Sequence, residues 1–221
     1  MKRILVFGDS NSWGYTDEDN GQRYEKRWPV LLNQELIQKG FNTEIIEDCL
    51  PGRTTNIDDP QDGIHLNGAK VLKSSLLSHS PIDLVILMLG TNDLKFRFQR
   101  TAENIADGIK ELIQIVLDTN SGSGGWHDVN KSKLVVICPP SLGEKSYDPN
   151  WINFKEWEGG LEKSTELHFS FEKVCSQMGV HLIDANEFCQ SSSIDPIHWS
   201  KKMHLKFSEN LANIIDQKIK L

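Results

Sequence analysis

Two runs of consecutive apolar residues, each followed by a polar turn that contains glycine, constrain the fold of this chain most strongly. Ile4-Leu5-Val6-Phe7 leads into Gly8-Asp9-Ser10-Asn11, and the apolar run at 84–89 leads into Gly90-Thr91-Asn92-Asp93. Apolar residues at consecutive positions are typical of strands that helices cover on both faces, as in a parallel sheet. The carboxyl ends of parallel strands open onto one shared crevice. We therefore predict that Ser10 and Asn92 meet over a ligand at that edge of the sheet.

Strand-like and helical patterns alternate along the rest of the chain. The predicted strands cover residues 2–7, 42–47, 84–89, 134–138 and 180–183. The predicted helices cover 29–39, 66–79, 161–178 and 208–220, with a further helix capped by Thr101. This alternation favours an α/β fold, a three-layer αβα sandwich around a five-stranded parallel sheet of order 2-1-3-4-5. We expect one domain over residues 1–221, since one α/β core can hold a chain of this length.

Charge and cysteine usage exclude several classes of protein. A formal net charge of -7 at pH 7 argues against general binding to nucleic acid or anionic membranes, because phosphate neutralisation needs a basic excess. No apolar stretch approaches the roughly 20 residues that cross a bilayer, and no signal-peptide pattern precedes the first strand, so we expect a cytoplasmic protein. The four cysteines show neither a C-x-x-C motif nor a zinc-like cluster with histidine, which favours reduced thiols over a disulfide or metal site. They are Cys49, Cys138, Cys175 and Cys189.

A serine near a strand end becomes a nucleophile only if a base removes its proton and a third group orients that base. Asp195-Pro196-Ile197-His198 provides both groups, because a carboxylate three residues before an imidazole can reach one ring nitrogen within a single turn. The predicted catalytic residues are therefore Ser10, His198 as the base and Asp195 as its orienting carboxylate.

The oxyanion formed in such a reaction needs hydrogen-bond donors. We predict that the backbone N–H groups of Ser10 and Gly52 and the side-chain amide of Asn92 provide them, with glycine after the second strand allowing close backbone approach.

A second Asp-x-x-His copy, Asp62-Gly63-Ile64-His65, competes for the role of the base. It lies in the loop after Gly52, whereas the copy at 195–198 follows the fifth predicted strand and precedes the last helix. We therefore interpret His65 as a surface or pocket-rim histidine.

Aromatic side chains gather in the irregular segment 139–160, which follows the fourth predicted strand. Trp151, Phe154 and Trp157 either wall a substrate pocket with Trp13 or pin this loop to the body of the protein. Packing against a second copy of the chain in a homo-oligomer is a further alternative.

The order and spread of these motifs resemble the SGNH-hydrolase, or GDSL lipase/esterase, family. The matching residues are Gly8-Asp9-Ser10, Gly52, Gly90-Thr91-Asn92-Asp93, and Asp195 with His198. Two positions depart from the family pattern, since Asn11 replaces a frequent leucine and Pro196 a frequent glycine. Within the family, the segments 53–60, 66–69 and 88–93 look like those of the bacterial arylesterase and acyltransferase group.

The resemblance implies a flavodoxin-like sheet and a hydrolase that needs no cofactor or metal. It implies a small-molecule ester as substrate, with short-chain acyl or aryl esters expected, and acyl transfer to alcohols as a further activity. Two other functions stay open. Asp9, Asn92, Asp93 and His198 would also suit a two-metal phosphoesterase, and the same scaffold would suit a non-catalytic binding protein.

Overall fold

The computed structural model describes residues 1–221 apart from the side chain of Asp17. Five strands form one sheet, and seven α-helices surround it. The strands are β1 (Lys2–Gly8), β2 (Thr43–Cys49), β3 (Leu84–Met88), β4 (Lys133–Cys138) and β5 (His181–Asp184). The helices are α1 (Ser10–Trp13), α2 (Trp28–Gln38), α3 (Gly68–His79), α4 (Ala102–Asp118), α5 (Phe154–Trp157), α6 (Gly160–Met178) and α7 (Lys201–Ile214), and a π-helix (Ile215–Ile219) continues α7.

The predicted sheet is confirmed. All neighbouring strands are parallel, and their order is β2-β1-β3-β4-β5. The register places Gly8 opposite both Cys49 of β2 and Met88 of β3. The polar segments that follow these strand ends therefore begin at the same level of one sheet edge.

The consecutive apolar residues of the strands are explained by two separate hydrophobic clusters, one on each face of the sheet. Leu5 and Phe7 of β1 pack into the cluster that α3, α4 and α6 cover. Ile4 and Val6 point to the opposite face and pack with residues of α2 and α7. Because side chains alternate across a strand, a strand with helices on both faces must be apolar at successive positions.

Thr101 caps α4 as predicted. Its Oγ1 accepts the N–H of Asn104 at 3.2 Å, and the Asn104 Oδ1 accepts the N–H of Thr101 at 3.2 Å. This reciprocal capping satisfies two donors at the helix start. The buried face of the helix contains the apolar residues that the sequence pattern indicated, namely Ile105, Ile109, Leu112, Ile113 and Val116.

The last helix is the main correction to the predicted elements. It begins at Lys201 rather than at residue 208, and Ser200 caps it by accepting the N–H of Met203 at 3.4 Å. The core-facing position in its first turn belongs to a histidine, His204, which is fully buried. An imidazole at that position breaks the apolar pattern from which the helix start was predicted.

Among the described residues, no helix combines the length and the apolar character that crossing a membrane requires.

Candidate active site

Ser10 lies in the sharp turn between β1 and α1. Asp9 caps this short helix, with its Oδ1 accepting the N–H of Asn11 at 3.0 Å, and Gly14 ends it in the left-handed conformation at φ 94°. A side chain at Gly8 would collide with Ser12, since its Cβ would lie 2.7 Å from the Ser12 Cβ. The turn therefore holds Ser10 in a recessed position, only 5% exposed.

His198 and Asp195 meet Ser10 in one hydrogen-bonded chain. The His198 Nε2 lies 3.0 Å from the Ser10 Oγ, and its Nδ1 lies 2.6 Å from the Asp195 Oδ2. Burial opposes ionisation of Asp195, but the hydrogen bond and charge of His198 and the Ile197 N–H outweigh it and hold the pKa of Asp195 below its usual value. An ionised Asp195 can only accept, so the Nδ1 carries the proton and the Nε2 is free to accept the serine proton.

The segment that carries His198 is fixed from both sides by backbone hydrogen bonds. The His198 carbonyl accepts the N–H of Ser192 at 2.7 Å, and the Pro196 carbonyl accepts the N–H of Gly143 at 2.8 Å. Pro196 departs from the family pattern, but it contributes a backbone carbonyl to this segment, which any residue can provide.

Asn92 lies at the start of the turn after β3 and is 5% exposed. One N–H of its amide donates to the carbonyl of Arg53 at 3.1 Å. A primary amide has two N–H groups, so the second is left for a ligand. Gly52, directly before Arg53, adopts the left-handed φ of 86° that glycine readily allows.

Arg53 joins three strand ends, a role that the sequence analysis missed. Its guanidinium donates to the carbonyls of Gly8 at 3.2 Å and Asp48 at 2.5 Å, pairs with the Asp48 carboxylate at 2.7 Å, and lies 4.0 Å from the centre of the Phe7 ring. Since its carbonyl also holds Asn92, Arg53 connects the ends of β1 and β2 to the turn after β3. A lone arginine after a glycine offered no sequence signal for this.

The carboxylate of Asp93 fixes the turn that carries Asn92. It accepts the N–H of Thr55 at 2.9 Å, the Thr55 hydroxyl at 2.6 Å and an N–H of Arg100 at 2.6 Å. Burial raises the pKa of Asp93 above its usual value, although Arg100 and Thr55 act in the opposite direction. These bonds tie the segment after Gly52 to the turn that carries Asn92.

Asp9 is a second buried carboxyl group in the site, for which the sequence suggested only a metal-binding role. It is 1% exposed, and burial raises its pKa from 3.8 to about 6, although the Asn11 N–H and the His198 charge act in the opposite direction. Among the described atoms, its Oδ2 has no hydrogen-bond partner. In the sequence, the position of Asp9 next to Ser10 was the one signal that it lies in the site.

The competing copy at 62–65 occupies a different environment. His65 is exposed, and Asp62 pairs with Arg97 at 3.0 Å. The imidazole that contacts Ser10 belongs to His198.

The aromatic residues of the predicted pocket have mixed surroundings. Trp157 is buried in the cluster beneath α4 and α6, Trp151 packs against that cluster, and Phe154 is partly exposed. Trp13 is partly exposed beneath Arg23, whose guanidinium carbon lies 5.5 Å from the ring centre. Contact of any of the four with substrate stays a prediction.

The described residues contain no group of three or more His, Cys, Asp or Glu side chains placed to hold a metal ion. All four cysteines are free thiols.

Comparisons with known proteins place the sequence and fold of this chain among esterases and acylhydrolases. The model of the GDSL-like Lipase/Acylhydrolase family matches residues 6–206. The inhibitor-bound aryl esterase of M. smegmatis is 38% identical, with 98% of this chain and 99% of that chain covered and a TM-score of 0.87. A carbohydrate acetylesterase from Sinorhizobium meliloti is 36% identical, with the same coverage and a TM-score of 0.87. An arylesterase of Vibrio mimicus is 29% identical over 147 residues, which span 66% of this chain and 60% of that protein's length.

Proposed function

The chain belongs to the GDSL-like lipase/acylhydrolase family, and we propose that it is a serine esterase that hydrolyses small esters through an acyl-enzyme on Ser10. The observation that carries this proposal is the chain of contacts from the Ser10 Oγ to the His198 Nε2 at 3.0 Å and from the His198 Nδ1 to Asp195 at 2.6 Å. This is the arrangement that nucleophilic acyl transfer requires.

In the first step, the Ser10 Oγ attacks the ester carbonyl while His198 takes the hydroxyl proton on its Nε2. The negative charge moves to the carbonyl oxygen, where the N–H groups of Ser10 and Gly52 and the free N–H of Asn92 receive it. Collapse of the tetrahedral intermediate breaks the bond to the leaving alcohol, which takes the proton from His198. Asp195 stays ionised throughout and stabilises the imidazolium.

Water then attacks the acyl-enzyme with His198 again as the base, and the second collapse releases the acid and restores the Ser10 hydroxyl. The hydrogen bonds of Asn92 to Arg53 and of Asp93 to Thr55 hold the oxyanion donors in place before substrate arrives. Preorganised donors of this kind contribute most when they need not reorient during the reaction.

We propose short acyl and aryl esters as the substrates. The nucleophile is recessed at 5% exposure, so an ester with a small acyl group reaches it most easily. The aryl esterase and the carbohydrate acetylesterase that resemble this chain in sequence and fold support the same class.

The mechanism is tested with a fluorophosphonate probe and intact-protein mass spectrometry. One equivalent should add to the wild-type protein, peptide mapping should place it on Ser10, and Ser10→Ala should neither react nor turn over acetyl esters. Ser12→Ala is the matched control, because Ser12 lies two residues away on the same helix and should be dispensable for labelling. Near-wild-type turnover by Ser10→Ala would exclude the proposed mechanism.

The substrate class is tested with aryl esters of increasing acyl length and with acetylated sugars. Acetyl and other short esters should give the highest kcat/KM. Faster turnover of long-chain esters would contradict a confined acyl site while leaving the Ser10 mechanism intact.

Acyl transfer to an alcohol is part of the same proposal. An acyl-enzyme in a site that excludes some water can pass its acyl group to a small alcohol. Addition of alcohol should then yield a new ester at the expense of free acid. Free acid as the sole product at high alcohol would restrict the enzyme to hydrolysis.

A further inference from the structure

Tyr15 packs its ring against His198. The two ring centroids lie 4.1 Å apart, and the planes are tilted by 34°. The imidazole donates a hydrogen bond from its Nδ1 to Asp195 and accepts one on its Nε2 from the Ser10 hydroxyl, and both nitrogens lie in the ring plane. Such bonds leave rotation of the ring out of its plane weakly restrained, and a ring packed on the face restricts this motion.

The segment that carries the nucleophile also delivers Tyr15 to this position. The carbonyl of Ser10 accepts the N–H groups of Gly14 and Tyr15, both at 3.0 Å. The left-handed conformation of Gly14 reverses the chain after α1. This reversal places the Tyr15 ring against His198, beside Ser10.

The Tyr15 ring also packs against the loop that follows it. A Cβ at Gly21 would lie 2.8 Å from the Tyr15 Cε2 and 3.2 Å from its hydroxyl, so the backbone at Gly21 packs directly against the ring. Tyr15 also pairs with Arg23 in an antiparallel bridge. The Tyr15 ring therefore contacts the backbone of this loop as well as His198.

We propose that Tyr15 is a positioning residue for His198. The face of the Tyr15 ring fixes the imidazole plane and stabilises the imidazolium that forms when Ser10 loses its proton. The inference rests on the proposed esterase function. An aromatic face attracts a cation placed over it, and this attraction is absent while the imidazole is neutral. The contact therefore strengthens as the reaction proceeds and should act on kcat.

The test compares variants that keep or remove the aromatic face. Tyr15→Phe keeps the face and should retain kcat within about twofold. Tyr15→Leu removes it and should lower kcat by about 3- to 30-fold, the range expected for loss of a cation–π contact, with KM nearly unchanged. The rate of fluorophosphonate labelling of Ser10 should fall by a similar factor.

Two further variants guard against a general loss of structure. Tyr15→Met fills more of the ring's space without an aromatic face and should repeat the defect of Tyr15→Leu. Phe169→Leu, at a surface position on α6 where the side chain is 71% exposed, should leave kcat and labelling unchanged.

Proton NMR tests the contact between the two rings directly. The carbon-bound ring protons of His198, assigned by their loss in His198→Ala, should lie upfield in the wild type because of the Tyr15 ring current. They should keep that position in Tyr15→Phe and move downfield in Tyr15→Met.

Three outcomes would overturn the inference. They are wild-type kcat and labelling rate in both Tyr15→Leu and Tyr15→Met, an equal loss in Tyr15→Phe, or an effect confined to KM. Failure of the proposed function is separate, because it would appear as turnover by Ser10→Ala or as absence of the Ser10 adduct in the wild type.

Discussion

Replacing Asp9 by asparagine should make the protein more stable at alkaline pH, because the fold holds this carboxyl where ionisation is unfavourable. Burial raises the pKa of Asp9 to about 6, against 3.8 in an unfolded chain. The folded protein therefore binds the Asp9 proton more tightly than the unfolded chain. This contribution to stability is fully present below pH 3.8 and is lost as the pH rises through about 6.

The size of the effect follows from these two values. Ionisation of Asp9 costs about 3 kcal/mol of folding free energy at pH 8 and about 1 kcal/mol at pH 4.5. The asparagine side chain of Asp9→Asn cannot ionise, and its amide oxygen can still accept the Asn11 N–H that the Asp9 Oδ1 accepts at 3.0 Å. The stability of Asp9→Asn relative to the wild type should thus be about 2 kcal/mol more favourable at pH 8 than at pH 4.5.

Urea denaturation followed by tryptophan fluorescence at the two pH values measures this difference. Asp48→Asn is the matched control without a pH effect in this range. Although burial opposes its ionisation, Arg53 holds the pKa of Asp48 below the usual 3.8, so its contribution to stability is lost only below about pH 3.8 and the cost of Asp48→Asn should be nearly the same at pH 8 and pH 4.5. A relative stability of Asp9→Asn that does not change with pH would refute the reasoning.

Asp9→Asn should also have a lower kcat, because the Asp9 charge attracts the imidazolium of His198.

Three further predictions concern the site and its surroundings. His198→Ala should lower kcat/KM by at least about a thousandfold, whereas His65→Ala should change it little, and the reverse ranking in steady-state kinetics would make His65 the base. Asn92→Ala should keep the fold by circular dichroism but lose roughly a hundred- to a thousandfold in kcat, and an effect on KM alone would make Asn92 a substrate-binding group. Burial lowers the pKa of His204 from 6.5 to about 3, so its contribution to stability is lost as the pH falls from 6.5 towards 3, and by pH 5 urea denaturation should show that the wild type has lost about 2 kcal/mol relative to His204→Asn. His204→Asn should remove this slope, and retention of the slope would assign it to other groups.

The sheet could be predicted from the sequence because its requirements are local. A strand covered on both faces must be apolar at successive positions, and Leu84-Val85-Ile86-Leu87 has no other easy interpretation. Once the strands were known, their carboxyl ends had to share one edge. The placement of Ser10 near the turn of Asn92 followed from this topology.

The start of α7 could not be predicted in the same way. His204 occupies a core-facing position, where it accepts the Trp28 N–H on its Nδ1 at 3.2 Å. This partner belongs to α2 and lies 176 residues away, so nothing in the local pattern shows that the imidazole is buried. Tertiary contacts decide such positions.

The buried charges around the site were invisible to sequence reasoning for the same reason. Asp93 could be read as a turn residue or a metal ligand, and only the folded chain brings Thr55 and Arg100 to its carboxylate. Spacing along the chain gives no signal for such bonds.

Arg53 shows how stability and function are connected at this edge of the sheet. Its guanidinium is nearly fully buried, which is unfavourable unless acceptors surround it. The carbonyl of Gly8 and the carboxylate of Asp48 provide them, and both belong to strand ends that Arg53 thereby holds together. The carbonyl of the same residue orients Asn92. A neutral side chain at position 53 would leave Asp48 without its charged partner and would remove the hydrogen bonds that tie the ends of β1 and β2 to the segment beside Asn92. Arg53 therefore fixes the geometry of the strand ends, although a buried charge adds little net stability.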